Sequence, residues 1–447
     1  MLLTKLALAA AMAAILCAHT YAANEFAVSV KAFGAKGDGV TDDTAAFQKA
    51  MDSLGQAGGI VQVPVGSYLI KTHLSVPANV TLEGVWTAPP CPTKIKAPGQ
   101  PAAAPANDKT WLAGSVLLAV EGAGKSTGTP FISLGTNSTL KGITVYYPEQ
   151  KPDAEPVPYP WCVASIGADN PSIIDCLLVN PYQGVDFGTR VAGRHYIRNL
   201  YGQPLYKGLF VDVCFDVGRL ENIHFWPFWT AHVLGGKAPK TDEWVFKNGT
   251  AFVFARSDWE YVSNCFAISY KTGFHFTKAS APGPGNYLMT QSGADCSDVA
   301  LLVDETQGHS GISFSNSQLF GRIVVNETNT GPVRFTGCGI FGASGPIEAE
   351  EMIKIAGRGR VSFDNCSFFA IDPKPKCKHF MNVTDGRLGI SNSVFIGTAG
   401  KPPIVLGEKT RTAIITSNEF YSSMQIVNNA KTADIIIKDN LFGTDEK

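Results

Sequence analysis

The chain has 447 residues, 45% of them hydrophobic and 17% charged, with 45 glycines, 27 prolines and a formal net charge of −1. A chain of this kind can bury a large core and has turn residues in abundance, and its lack of any basic run argues against a nucleic-acid partner. Beyond the N-terminus no apolar stretch is long enough to span a bilayer.

The first residues, Met1 to Lys5, carry a positive charge and lead into an almost wholly apolar run from Leu6 to Cys17. Small residues follow at Ala22 and Ala23. This order predicts a cleavable signal peptide over residues 1–22 and a secreted or periplasmic protein. Cys17 follows Leu16, a poor context for lipid attachment. Export permits disulfides, but Cys265, Cys338 and Cys366 each follow a predicted corner residue. That placement favours buried thiols acting as small apolar fillers.

Residues 24–72 form a distinct opening. The stretch Gly34 to Thr44 (GAKGDGVTDDT) precedes a helix predicted over 42–54, which Thr41 or Asp42 can cap. Phe47, Ala50, Met51 and Leu54 lie on one face of it. Gly58 to Tyr68 (GGIVQVPVGSY) then reads as turn, strand and turn. These two phrases resemble the opening of the pectate lyase superfamily, the polygalacturonase-like right-handed β-helix proteins. The resemblance implies a helix that covers the first coil, followed by the first rungs of the solenoid. Hydrolases, lyases, epimerases and phage tailspikes share the phrases, so the resemblance implies architecture rather than reaction.

From residue 73 to 447 the pattern is one of short strands. Pro-rich stretches at 87–110 and 148–160 read as loops leaving the coil. Inward apolar positions recur at Val185, Leu209, Phe252, Phe274 and Leu301. The long second step contains an insertion, about 226–248. Alternation sends Asp186, Phe210, Val253, His275 and Leu302 outward, with Asp212 and Asp304 two positions further on from their rows. The C-terminal part repeats one phrase four times: Val361–Phe368, Leu388–Phe395, Ala413–Phe420 and Ile435–Phe442. Its asparagines, Asn365, Asn392, Asn418 and Asn440, are predicted at left-handed corners. Strands repeating at this period predict an all-β fold: a single right-handed parallel β-helix of about thirteen coils with an N-terminal capping helix.

Equivalent positions on stacked rungs lie about 4.8 Å apart, so outward ionisable groups on neighbouring rungs gather into sites. The densest set is Asp186, Asp212, Arg256, Asp258, Glu260, His275, Asp304 and Glu305, and Asp212, Arg256, Asp258, His275 and Asp304 are its catalytic candidates. Trp226, Trp229, Trp244, Trp259, Tyr206 and Lys207 lie nearby in the same register as candidate sugar contacts. Glycosidic hydrolysis needs one carboxylic acid and one carboxylate, and an Asp212/Asp258 pair aided by His275 fits that need. A lyase would instead use a cation on the uronate and a base at C5, for which Arg256 and His275 qualify. A glycan-binding stalk would keep the aromatics and need no acids. His309 carries a faint likeness to the Gly-His-Gly motif of polygalacturonases, but their aspartate motifs are missing from the central rungs. No cofactor fingerprint or metal-ligand spacing is present, and calcium on rung aspartates is compatible with the pattern without being required by it.

Overall fold

The computed structural model describes residues 26–89, 112–151, 153–226, 239–280, 282–342, 349–369, 378–396, 404–421, 425–432 and 434–444. The predicted signal peptide, Trp229 and most of the 87–110 loop lie outside the described residues.

Alternating apolar strands stack in parallel, each pairing with the strand one turn before and one turn after. Three faces result. The first carries Gln183–Phe187, Lys207–Val211, Thr250–Phe254, Thr272–Phe276 and Val299–Val303. Glu260–Ser263, Tyr287–Thr290 and Ile312–Ser315 belong to the second, and Phe266–Ile268, Gly293–Asp295 and Gln318–Phe320 to the third. The winding is that of a right-handed parallel β-helix. On the first face Val185, Leu209, Phe252, Phe274 and Leu301 pair in that order, as the inward alternation predicts.

Phenylalanines stack along the interior. Phe368, Phe395, Phe420 and Phe442 form one column with ring centroids 4.3, 4.6 and 4.9 Å apart. Phe314, Phe335 and Phe363 form another, at 5.4 and 4.7 Å. Each ring covers the apolar face of its neighbour, so the column closes only when several rungs are present.

The corner between the second and third faces is a left-handed residue on almost every turn, including Asn199, Asn222, Asn264, Asn316, Asn365 and Asn392. Amides bond along it, with Asn199 Nδ2 donating to Asp175 and Asn222 Nδ2 to Asn199, both at 2.8 Å. In the last two turns the left-handed residues are Ser417 and Asp439, one position before the expected Asn418 and Asn440. Asn418 instead points inward, and its Oδ1 accepts the Ser393 amide at 2.9 Å. Position by position, Asn418 is equivalent to Ser393 and to Cys366, whose amide donates to Ser393 Oγ at 3.0 Å. This inward site satisfies a buried backbone N–H from the neighbouring rung. Cys265, Cys338 and Cys366 occupy it as free thiols.

Helix α1 spans Thr44–Asp52, shorter at both ends than expected, and buries Phe47, Ala50 and Met51. Asp42 Oδ1 accepts the Thr44 amide at 3.0 Å. Asp43 turns the other way and accepts the amides of Lys36 and Gly37 at 2.6 and 2.9 Å. Gly37 has φ +64°, and a Cβ there would sit 2.8 Å from the Tyr68 ring. The second half of the insertion is helical rather than a loop: α2 spans Pro239–Asn248, with Val245 buried. No helix among the described residues is long and apolar enough to cross a membrane.

Replacing Phe395 with alanine opens a gap in the middle of its column. The expected cost is about 3–5 kcal/mol in urea unfolding. Phe442→Ala at the half-exposed end of the same column is expected to cost clearly less.

Candidate functional site

Successive loops leave the ends of the first-face strands and turn the corner to the second face: 188–195, 212–217, 255–259, 277–286 and 304–311. Most of the predicted polar residues sit here, in different environments.

Asp212 has no exposed surface. Its Oδ1 accepts the Arg256 amide at 2.9 Å, and its Oδ2 accepts the amide and hydroxyl of Ser280 at 3.0 and 2.7 Å. The carboxylate fastens two neighbouring loops and does not reach an open surface, contrary to the outward position that alternation assigned. The strand ends at Val211, so the two-residue period no longer governs Asp212. Asp186 is likewise buried and accepts the amides of Gly188 and Thr189 at 3.0 and 2.7 Å.

Arg256, Asp258 and Trp259 do come together. Arg256 pairs with Asp258, and Trp259 is 50% exposed. With Asn286, Gln307, His309 and Ser310 they line a cleft of ≈ 320 Å³. Arg256 Nη1 also donates to the Pro284 carbonyl at 3.4 Å, which ties the guanidinium to the next loop.

The loop carrying Gln307, His309 and Ser310 begins at Asp304. There His275 Nε2 lies 2.6 Å from Asp304 Oδ2, and Asn326 Nδ2 donates to Oδ1 at 2.6 Å. These hydrogen bonds, His275's foremost, hold the Asp304 carboxyl below its usual range despite partial burial.

The predicted aromatic wall divides. Tyr206 stacks on Tyr182 at 5.2 Å and meets Trp244 of α2 at 6.0 Å, with Lys207 Nζ over the Tyr206 ring at 5.6 Å. That group pins α2 at the opposite end of the first-face strands from Asp212. Trp226 lies on the third face, stacked on His224 at 5.1 Å. Burial pushes His224 down to about 4. Also on the third face, Phe266, Asp295, Gln318, Phe320 and Phe341 line a groove of ≈ 490 Å³ over Gly293.

Sequence reasoning missed Asn286, Gln307 and Ser310 in the cleft. Glu260, expected outward beside Trp259, is buried instead, in a trio with His195 and Cys214 that sequence reasoning missed, with ligand-type atoms within 4.8 Å of one another. The pairings Tyr196↔Arg219 and Gly218↔Glu260 set His195, Gly218 and Glu260 on three successive rungs. Gly218 has no side chain, and a Cβ there would meet Glu260 Oε2 at 2.2 Å. Glu260 uses that space to reach His195, Oε1 to Nε2, at 2.8 Å. Burial works against charge on His195, but the Glu260 charge and the hydrogen bonds of the ring to Cys214 and Glu260 hold its pKa well above the ordinary value. A glycine one rung from an acid, with a histidine at the same register one rung further on, is the one sequence signal of this contact.

Comparison with known proteins agrees with the architecture. Residues 27–108 match a family profile described as rhamnogalacturonase A/epimerase, pectate lyase-like. The match lies in the opening of the chain, and the strands beyond it continue as a parallel β-helix. Over 60 residues it is 48% identical to a preneck appendage protein of Bacillus phage PZA, covering 13% of this chain and 7% of that protein. Over 68 residues it is 43% identical to an exopolygalacturonase of Arabidopsis thaliana, covering 14% and 15%. The chain therefore matches only a small part of these relatives' length. Among solved structures, the N-terminal fragment of bacteriophage phi29 gene product 12 superposes with TM-score 0.62 at 14% identity, covering 95% of this chain and 75% of that one. These likenesses establish the β-helix and its opening, and leave the reaction to the site.

Two outcomes test this account. Asp212→Ala removes a buried acceptor that serves three donors on two loops and is expected to cost about 1–3 kcal/mol in thermal or urea unfolding. His224 has a folded pKa below its unfolded value, so its contribution is complete above about pH 6.5 and is lost as pH falls towards 4. The melting temperature of His224→Phe should therefore fall less than that of the wild type between those pH values.

Proposed function

We propose that the protein is an exported carbohydrate-active enzyme that cleaves glycosidic bonds in a uronate-containing polysaccharide. The observation that carries the reading is the corner cleft: an exposed Trp259 beside the Arg256–Asp258 pair, rimmed by the amides of Asn286 and Gln307 and by His309. Indole faces stack on sugar rings, amides read hydroxyls, and Arg256 offers charge to a carboxylate. The leader-like first 22 residues support export.

Hydrolysis is the first reading. It needs a group to protonate the leaving oxygen and a carboxylate to activate water or attack the anomeric carbon. Asp258 in the cleft is one such group. The His275–Asp304 pair, at the start of the loop that carries Gln307 and His309, would supply the other, with Asp304 kept ionised and His275 moving the proton. Asp212, buried and fully engaged, holds the loops that present Arg256 and Asp258.

The presence of Arg256 in the cleft supports a second reading, β-elimination. Its guanidinium would neutralise a uronate carboxylate while His275 takes the C5 proton. Digests of acidic and neutral polysaccharides, followed by reducing-end release and ultraviolet absorbance, separate the two. New ends without absorbance are expected. New ends with absorbance replace hydrolysis with elimination.

Asp258→Asn is expected to lower kcat about 10²–10⁴-fold with glycan binding retained in affinity electrophoresis. Binding without turnover in the wild type, across the panel, would make the cleft a glycan-binding site alone.

A further inference from the structure

The cleavage chemistry leaves unused the buried trio under the cleft, and that trio has the makings of a metal centre. His195, Cys214 and Glu260 have no exposed surface. Their ring nitrogen, thiol sulfur and carboxylate oxygen lie within 4.8 Å of one another. They come from three successive rungs, so the grouping is a product of the winding rather than of a local motif.

The supporting contacts match those of a ligand set. His195 Nδ1 lies 2.8 Å from the Ala192 carbonyl, which can only accept, so Nδ1 carries the proton. Nε2 therefore faces Glu260 and Cys214 either as a lone pair or with a second proton. A ligating histidine is oriented by this kind of hydrogen bond from its other nitrogen to a backbone carbonyl. Glu260 Oε2 is held by the Ser257 hydroxyl at 2.7 Å, the corresponding support for a carboxylate ligand. The bare Cα of Gly218 leaves room for the carboxylate between the two outer rungs.

We propose that His195 Nε2, Cys214 Sγ and Glu260 form a binding site for one divalent ion of the zinc class. Imidazole, thiolate and carboxylate are the donors zinc takes, and these three leave the fourth tetrahedral position to a water or another small ligand. Cys214 Sγ donates to the Asp216 carbonyl at 2.9 Å, and an ion bound through this sulfur as thiolate takes the place of that proton.

The site bears on the cleft through the backbone. The Cys214 amide donates to the Arg256 carbonyl at 3.1 Å, and the Asp258 amide donates to the Cys214 carbonyl at 3.0 Å. An ion at this centre thus clamps the turn that carries Arg256, Asp258 and Trp259. The inference rests on the fold alone and is independent of the reaction proposed for the cleft.

The test uses the mature protein refolded with Zn²⁺ or Co²⁺, dialysed and assayed for metal by mass spectrometry. The expected result is about one ion per chain, a thiolate-to-cobalt absorption band in the Co²⁺ form, and a raised melting temperature. Cys214→Ser should lose the band, and Glu260→Gln should retain at least tenfold less metal, with circular dichroism confirming the β-helix in each. Wild-type protein that holds no more metal than Cys214→Ser, and melts identically with and without Zn²⁺, would overturn the proposal and leave a buried ion pair. Both results are read without any substrate.

Discussion

Everything in this molecule depends on the spacing of parallel rungs. Stacked strands about 4.8 Å apart force each residue to share its environment with the equivalent residue above and below. An apolar side chain at one inward position requires apolar neighbours, as the run from Val185 through Leu209, Phe252, Phe274 and Leu301 shows. The aromatic columns carry the same rule further, since ring faces at 4.3–4.9 Å cover one another only if their rungs stay in register. Apolar burial here is a property of the stack, not of any one coil.

Corners raise a different problem. A chain that turns sharply between faces buries a backbone N–H that no strand can satisfy. The solution is a left-handed residue followed by a small inward side chain that accepts from the rung before. Ser292, Ser317, Ser393 and Asn418 accept in this way, and Cys265, Cys338 and Cys366 fill the same position. The thiols are free because the position selects for size and depth, and cysteine is a small apolar filler.

The winding was legible in the sequence because it rests on periodicity, which the sequence displays directly. The one-residue slip at Asn418 and Asn440 was not. In Ser-Asn and Asp-Asn pairs either member tolerates the left-handed region, and the inward hydrogen bond to the neighbouring rung decides between them. The site was legible in part. Arg256, Asp258 and Trp259 are close in the chain and stay together in space. Asp212 was misplaced because alternation fails once the strand ends at Val211. Trp226 went to the third face because left-handed Asn222 redirects its strand halfway along. Tyr206 and Trp244 share a register with the acids but sit at the other end of the strands, a distinction that strand phase cannot express.

His195 and Glu260 show how a missing side chain can create a contact. Two rungs separate them, about 9.6 Å along the solenoid, beyond the reach of a side chain blocked by an intervening one. Gly218 removes the block. Two charges in a dry interior add little net stability compared with apolar residues of the same volume. What they do supply is position. Ser257 is bound to Glu260 Oε2, and the next two residues are Asp258 and Trp259. On the other side of the same turn, Asp212 holds the Arg256 amide. The turn that faces the cleft is therefore fixed from beneath at both ends by buried carboxylates, and the exposed carboxylate between them is left free of structural duty except for its pairing with Arg256.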